Sequence, residues 1–382
     1  PLRLRATGAG PLDALALRLE AELAEARLEA QSVLDLPQER GQTRLTLRHP
    51  GAARLLGQAW GTEPPGWIGE GSFSLIAHLA GRPGAWNSEG FELVAGEIRG
   101  RGQGSLGWAA GRPALGGRLA MERLPLPAVG ALDLGAGLGV ALDLAVTVER
   151  LLPAGLPVLE GVAAQLRADA AGLRLEELRA TLAGGVLSGA LRVAFGAVPR
   201  LSLEGNLADA VLPAPLTGRP VDIAAGRLSG AARLEAAGAT REALIASLAG
   251  EGSLALRDGV VQGFDAPAAA AALGWADAPA AEAALHMALT AGATPIERGE
   301  ARFTLQEGRL TLGEASLGAE AGLVLGLSGT LDLPRDTLDL RLTLPVPEGA
   351  PAPALHLTGP SMNPTRIPEV AAWLEWRAAN PP

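Results

Sequence analysis

The residues of this chain that could do chemistry are four histidines, 41 carboxylates and one glycine-rich phrase. A metal centre needs three or four ligands at short, recognisable spacing. His49, His78, His286 and His356 are scattered without such spacing, and His356 alternates with Leu355 and Leu357, which places it on the polar face of a strand. Acid–base catalysis needs two carboxylates held in converging positions. Asp339 and Glu149 read instead as solvated charges among arginines on polar strand faces. There is no Gly-x-Ser-x-Gly elbow for a serine nucleophile and no cysteine for a thiolate or a disulfide. Gly102-Gln103-Gly104-Ser105-Leu106-Gly107 satisfies G-x-G-x-x-G. A dinucleotide site needs that phrase where a strand turns into a helix. Here it lies inside an alternating segment, so the glycines read as close strand packing or bending. No catalytic residue, metal ligand or cofactor is assigned, and the chain is expected not to be an enzyme.

The elements behind these residues are set by a period of two. In 131–149, Leu132, Leu134, Ala136, Leu138, Val140, Leu142, Leu144, Val146 and Val148 share one parity, and Asp133, Asp143, Thr147 and Glu149 the other. Alternate side chains of a strand point to opposite faces, so one face is aliphatic and the other polar or small. The pattern returns with Leu187, Leu191, Val193 and Phe195, with Leu201, Leu203 and Leu207, with Leu325, Leu327, Leu331 and Leu333, and with Leu338, Leu340, Leu342 and Leu344. The run Leu12–Leu36 fits both a strand and a helical stripe through Leu12, Leu15, Leu19 and Leu23, and reads as strand on its longer alternation. Gly184-Gly185, Gly218-Arg219-Pro220, Asp258-Gly259 and Pro334-Arg335-Asp336 read as tight turns. Short strands at such spacing predict an antiparallel meander of roughly 18 strands. Helices are expected at Pro50–Trp60, at Arg241–Leu248 with Thr240 as N-cap, at Ala266–Leu273 and at Pro368–Arg377.

Composition narrows the classes. Apolar residues make up 48% of 382, and 51 glycines add to them, while aromatics are 3% and tyrosine is absent. An outer-membrane barrel would carry aromatic girdles, which this chain lacks the residues to build. No run of about 20 apolar residues forms a membrane-spanning helix. A net charge of −9 argues against a nucleic-acid partner. The chain begins at Pro1 without a signal-like segment and reads as a trimmed piece that a membrane anchor could precede. Trp67, Trp108, Trp373 and Trp376 are candidates to cap the ends of the sheet or to anchor in a lipid interface.

The segment Leu248–Asp265, LAGEGSLALRDGVVQGFD, resembles the opening of the C-terminal region of AsmA-like proteins. Phe303-Thr304-Leu305, Gly329-Thr330-Leu331-Asp332-Leu333, Leu338-Asp339-Leu340 and Leu355-His356-Leu357-Thr358-Gly359-Pro360 continue the likeness over about 238–370. Leu47-Arg48-His49-Pro50 followed by Trp67-Ile68-Gly69-Glu70-Gly71 is similar to the family's middle region. The resemblance implies a mostly β chain with a few short helices. Its long, twisted antiparallel sheet would be curled into an elongated groove, with a repeating region over 1–237, an AsmA-like C-terminal region over 238–382 and a closing helix. It also implies a bacterial inner-membrane protein facing the periplasm, tethered by an N-terminal helix outside this chain. Its partners would be phospholipids or other acyl lipids, and envelope proteins. The expected groove lining is Leu132, Leu134, Leu138, Leu142, Leu144, Leu191, Val193, Leu201, Leu203, Leu325, Leu327, Leu338, Leu340 and Leu342. The function this suggests is lipid transport in outer-membrane biogenesis. The alternative is a structural factor that helps outer-membrane proteins mature without moving lipid.

Overall fold

The computed structural model describes residues 2–60, 66–109, 111–127, 139–211 and 222–380. The fold is mostly β: 21 strands assigned to one sheet, with five short α-helices among the described residues. The chain forms two compact units, Pro1–Leu182 with Ala190–Pro199, and Ala183–Gly189 with Arg200–Pro382.

The first unit contains β1 (Leu2–Ala9), β2 (Leu15–Leu23), β3 (Ala26–Asp35), β4 (Arg40–His49), β5 (Phe73–Arg82), β6 (Ala85–Ala95), β7 (Ile98–Ala109), β8 (Arg112–Leu126), β9 (Ala141–Pro153), β10 (Leu159–Ala168) and β11 (Gly172–Leu182). Each pairs with the next in chain order. The run Leu12–Leu36 is two strands, and the competing helical stripe is not used. One ladder departs from the expected antiparallel meander: β8 and β9 are parallel, with Leu115 beside Leu142 and Met121 beside Val148. The alternation of a strand is blind to its direction, so sequence periodicity could not reveal this. Parallel neighbours need a crossover; residues 128–138, which include Leu132, Leu134 and Leu138 of the expected lining, lie outside the described residues.

Helix α1 (Ala52–Trp60) and a 3₁₀ turn at Gly66–Ile68 close one end of this unit's aliphatic face. Ala52 and Ile68 are buried with Phe73, Ala95 and Ile98, and Leu55, Leu56 and Met121 pack around them. His49 is not the surface residue its place on β4 suggests. It is 3% exposed, and its Nδ1 lies 3.0 Å from the Gly51 amide nitrogen at the entry to α1.

β12 (Gly185–Ala194) contributes its first half to the second unit and its second half to the first. The turn before it follows the glycine signal: Ala183 and Gly184 both have positive φ, 48° and 76°, as a tight hairpin turn requires.

The second unit continues with β13 (Arg200–Val211), β14 (Asp222–Ala237), β15 (Ala249–Gln262), β16 (Ala293–Gln306), β17 (Arg309–Ala319), β18 (Val324–Asp332), β19 (Thr337–Thr343), β20 (Ala354–Pro360) and β21 (Thr365–Glu369). Its helices are α2 (Arg241–Ala246), α3 (Ala266–Leu273), α4 (Ala278–Thr290) and α5 (Ala371–Ala379). Thr240 caps α2 by accepting the Ala243 amide, as expected, and Asp265 caps α3 by accepting that of Ala268. The expected turn at Asp258-Gly259 is not one. Both residues lie inside β15, where the register against β14 slips between Ala225–Val260 and Arg227–Arg257. Asp258 takes φ 48° at this bulge. An extra residue and a tight turn both demand a positive-φ position, so the dipeptide looks the same in either. The expected turn at Gly218–Pro220 lies outside the described residues.

Candidate functional site

In the first unit, strand register assembles the aliphatic positions into continuous cross-strand rows. One row runs Leu4, Ala21, Leu28, Leu47, Leu75, Leu93, Gly100, Met121, Val148, Val162, each the direct partner of the next on ten successive strands. Two residues along, a second row runs Ala6, Leu19, Ala30, Leu45, Ala77, Phe91, Gly102, Leu119, Val146, Ala164. No position in either row carries a side-chain donor, and the one acceptor is the weak thioether sulfur of Met121. Nine steps at about 4.8 Å give each row a length of about 43 Å.

The intervening positions face the other way and are polar. Arg5 pairs with Glu20, Arg3 with Glu22, Gln31 with Arg44 and Glu92 with Arg101. Phase is the whole reason for this division: a slip of one residue in any ladder would send its leucines to the charged side. The bulge in β6, between Ser88 and Phe91 against β7, is absorbed without losing phase, because Phe91 still faces Gly102.

How much of the aliphatic face is open varies along the strands. The first row lies partly beneath α1 and the 3₁₀ turn. The second row is half-buried at Leu19, Leu45, Phe91 and Leu119. Further along, Leu106 and Leu115 are 38% and 40% exposed, and Leu142 and Leu144 are half-buried beside Leu115 and Gly117. On β1, Leu2 and Leu4 are 65% and 64% exposed.

The second unit repeats the division but fills one end of the face. Leu256, Leu325, Leu338, Leu340, Leu342, Leu355 and Leu357 pack under Ala266, Ala269 and Ala272 of α3, Leu285 and Leu289 of α4, and Trp373 of α5. Of the expected lining, Leu325, Leu338, Leu340 and Leu342 are therefore core residues against helices rather than the wall of an open trough, and Leu327 is half-buried beside them. Leu201 and Leu203 lie opposite Ala236 and Leu234, with Leu203 41% exposed. On β12, Leu191 is half-buried and Val193 buried. The expected tryptophans divide likewise: Trp373 is 3% exposed with Arg377 over its ring, Trp376 is half-buried beside it, Trp67 packs against the α1 cluster, and Trp108 is 66% exposed.

Sequence reasoning missed α4, the element that buries Leu285 and Leu289. Six of its thirteen residues are alanine, so no apolar stripe stands out from the background. The start signal Asp277 with Pro279 just inside the helix was available to find it.

Two of the polar groups singled out in the sequence have a visible structural part to play. His356 Nε2 lies 2.9 Å from Asp339 and its Nδ1 3.4 Å from Glu369, which Arg341 also meets at 2.5 Å; together these brace β19, β20 and β21 on their charged face. Gly102 and Gly104 of the G-x-G-x-x-G phrase stand in β7. A β-carbon on Gly102 would meet the Arg118 carbonyl oxygen at 2.2 Å and one on Gly104 the Gly116 oxygen at 2.5 Å, which is close strand packing rather than a phosphate cradle.

Comparison with known families gives one match: the model of the AsmA family covers residues 119–314, just over half of the chain. No curated protein and no solved structure matches the chain.

Proposed function

The chain belongs to the AsmA family, and from that premise we propose that it is an envelope protein whose aliphatic sheet face holds the acyl chains of phospholipids, in lipid transport and outer-membrane biogenesis. The observation that carries the proposal is the pair of uninterrupted apolar rows across ten strands of the first unit. Acyl chains laid on such rows would gain about 0.8 kcal/mol for each methylene removed from water. Side chains without donors or strong acceptors discriminate little between one acyl chain and another and oppose no sliding. The charged headgroup would remain in water at the margin, so one face could serve lipids of many kinds.

The role is one of binding rather than catalysis. Membership of the family supports placement at the periplasmic side of the inner membrane. No helix among the described residues is long and apolar enough to cross a membrane.

The test is lipid analysis of the purified chain by mass spectrometry, with the chain expressed in a bacterial periplasm and isolated without detergent. Co-purified phospholipid is the expected result. Protein that emerges lipid-free, and takes up no phospholipid from vesicles, would overturn the proposal.

A further inference from the structure

The polar face of the first unit carries a hollow that acyl-chain binding does not use. It forms at the bulge in β6. The register passes from His78–Gly90 to Leu79–Ser88 on one side, and from Ser88–Gly104 to Phe91–Gly102 on the other. The Ser88 hydroxyl donates to the Gly90 carbonyl oxygen at 2.9 Å and braces the irregular backbone. A bulge bends its strand, and here a cavity of about 700 Å³ opens beside it. Ile76, Ala120 and Ala145 give it an apolar floor, and Gly90 leaves it space, since a β-carbon there would meet nothing within 4 Å.

Three guanidinium groups line this hollow: Arg44, Arg101 and Arg118. Among the described residues, Arg3, Arg18, Arg27, Arg54, Arg123 and Arg167 of the same unit are ion-paired while Arg5, Arg99 and Arg150 are not, so what marks the hollow is the convergence of its three arginines on one space. Arg44, Arg101 and Arg118 have no carboxylate partner among the described residues, although Glu92 stands directly opposite Arg101. Arg101 faces Ala120, two residues from Arg118 on β8, so the two arginines are diagonal neighbours within mutual reach. Glu89 and Glu92 also line the hollow. It thus offers both signs of charge over a small apolar floor.

We propose that this hollow binds a phosphate ester bearing an ammonium group, of the phosphoethanolamine kind. The planar forks of Arg101 and Arg118 suit phosphate oxygens, Arg44 adds a third positive charge, and Glu89 and Glu92 receive the ammonium group. The site stands apart from the acyl-chain reading, because it lies on the opposite face of the same strands.

Calorimetric titration of the full chain with soluble phosphoethanolamine, and separately with dihexanoyl phosphatidylethanolamine below its micellar concentration, tests the assignment. Binding of both probes, or of either one, is the expected result, and the probe that binds tells a free headgroup from a lipid. The Arg101→Gln/Arg118→Gln double variant weakens that binding at least tenfold. Glu92→Gln weakens it less, and leaves glycerol 3-phosphate, which has no ammonium group, unaffected. Gly90→Leu fills the hollow without demanding a left-handed backbone and removes the binding as well. Leu144→Asp, on the aliphatic face, leaves phosphoethanolamine binding unchanged. Absence of heat with both probes overturns the proposal. So does unchanged binding in the arginine double variant, which would place the lipid probe on the aliphatic face instead.

Discussion

Phe303 on β16 stands directly opposite Gly252 on β15, so close that a β-carbon on Gly252 would lie 2.4 Å from its ring Cζ. The same relationship recurs in the first unit, where Phe91 faces Gly102 with 2.6 Å to the ring Cζ. In each unit an aromatic ring covers a glycine in mid-strand and supplies the packing that the glycine lacks. Gly252→Ala and Gly102→Ala are each expected to cost about 1–3 kcal/mol, as overpacking does. The second-site responses should differ. At Gly102 the hardest contact is the Arg118 carbonyl oxygen at 2.2 Å, which is backbone; at Gly252 it is the Phe303 ring, with the Ala231 carbonyl oxygen at 2.7 Å. Phe303→Leu should therefore recover more of the Gly252→Ala loss than Phe91→Leu recovers of the Gly102→Ala loss. Urea unfolding of the two double-mutant cycles checks this, and equal recovery would show that the rings are not the limiting contact.

Thr294 fixes the docking of α3. It is fully buried, and its hydroxyl donates to the Phe264 carbonyl oxygen at 2.8 Å and accepts the Ala266 amide at 3.0 Å. Thr294→Val keeps the shape but leaves both backbone groups without this partner, at a cost of about 1–3 kcal/mol for an unsatisfied buried group. Thr294→Ser keeps both bonds and loses one methyl, about 0.8 kcal/mol by transfer. If chemical denaturation finds the two variants equally destabilised, the hydroxyl is not what holds the helix.

What the sequence displayed and what it hid follow from the same physics. The leucines at 338, 340 and 342 announced their strand, because a period of two survives in any pleated segment whatever it packs against. The N-terminal leucines settled as strands for the same reason. The direction of β9 was hidden, since parallel and antiparallel strands alternate alike. So was the bulge at Asp258-Gly259, which exists only in relation to the partner positions Ala225 and Arg227. Above all, local pattern could not say what covers a face. Leu144 and Leu340 sit in equivalent alternations, yet one is half-buried on a sheet face and the other is 7% exposed under helices, one of them the unrecognised α4. The polar hollow at Gly90 was equally illegible, because four separate strands bring its arginines and carboxylates together.

Asp332 ties the β18–β19 turn and gives the fold a pH dependence. Arg309, its cross-strand partner on β17, donates from Nη2 to Oδ2 at 3.0 Å; Arg335 donates from its amide to Oδ1 at 3.0 Å and from Nη1 to Oδ2 at 2.8 Å. The Arg309 hydrogen bond foremost, with those from Arg335 and against a smaller opposing effect of burial, lowers its pKa below the ordinary 3.8. A depressed carboxylate contributes stability above its unfolded pKa and loses it as pH falls through the folded value. Asp332→Asn should therefore be less stable than the parent at pH 7, with the gap closing below about pH 4. Urea midpoints at pH 7 and pH 3 measure it, and a gap undiminished at pH 3 would mean that the carboxylate's charge is not the source. Since Arg309 and Arg335 are 56% and 72% exposed, the gap at pH 7 should also narrow in high salt.

The acyl-chain reading makes opposite predictions for one substitution at two places. Leu119 lies in the second apolar row, half-buried between Gly102 and Val146, so a carboxylate there keeps some access to water. Leu119→Asp is expected to fold, with an unchanged far-ultraviolet spectrum, and to lose most of the lipid that co-purifies with the parent chain. Leu340 is 7% exposed beneath the helices of the second unit, opposite Leu357. A carboxylate there would be stranded in an apolar core, a cost of several kcal/mol unless it is neutralised, so Leu340→Asp is expected to unfold that unit and lower the thermal midpoint sharply. Circular dichroism and lipid mass spectrometry on both variants separate the two effects. A folded Leu119→Asp that retains its full lipid load would remove the aliphatic rows from lipid binding. A Leu340→Asp as stable as its parent would mean that the helices do not seal the end they cover.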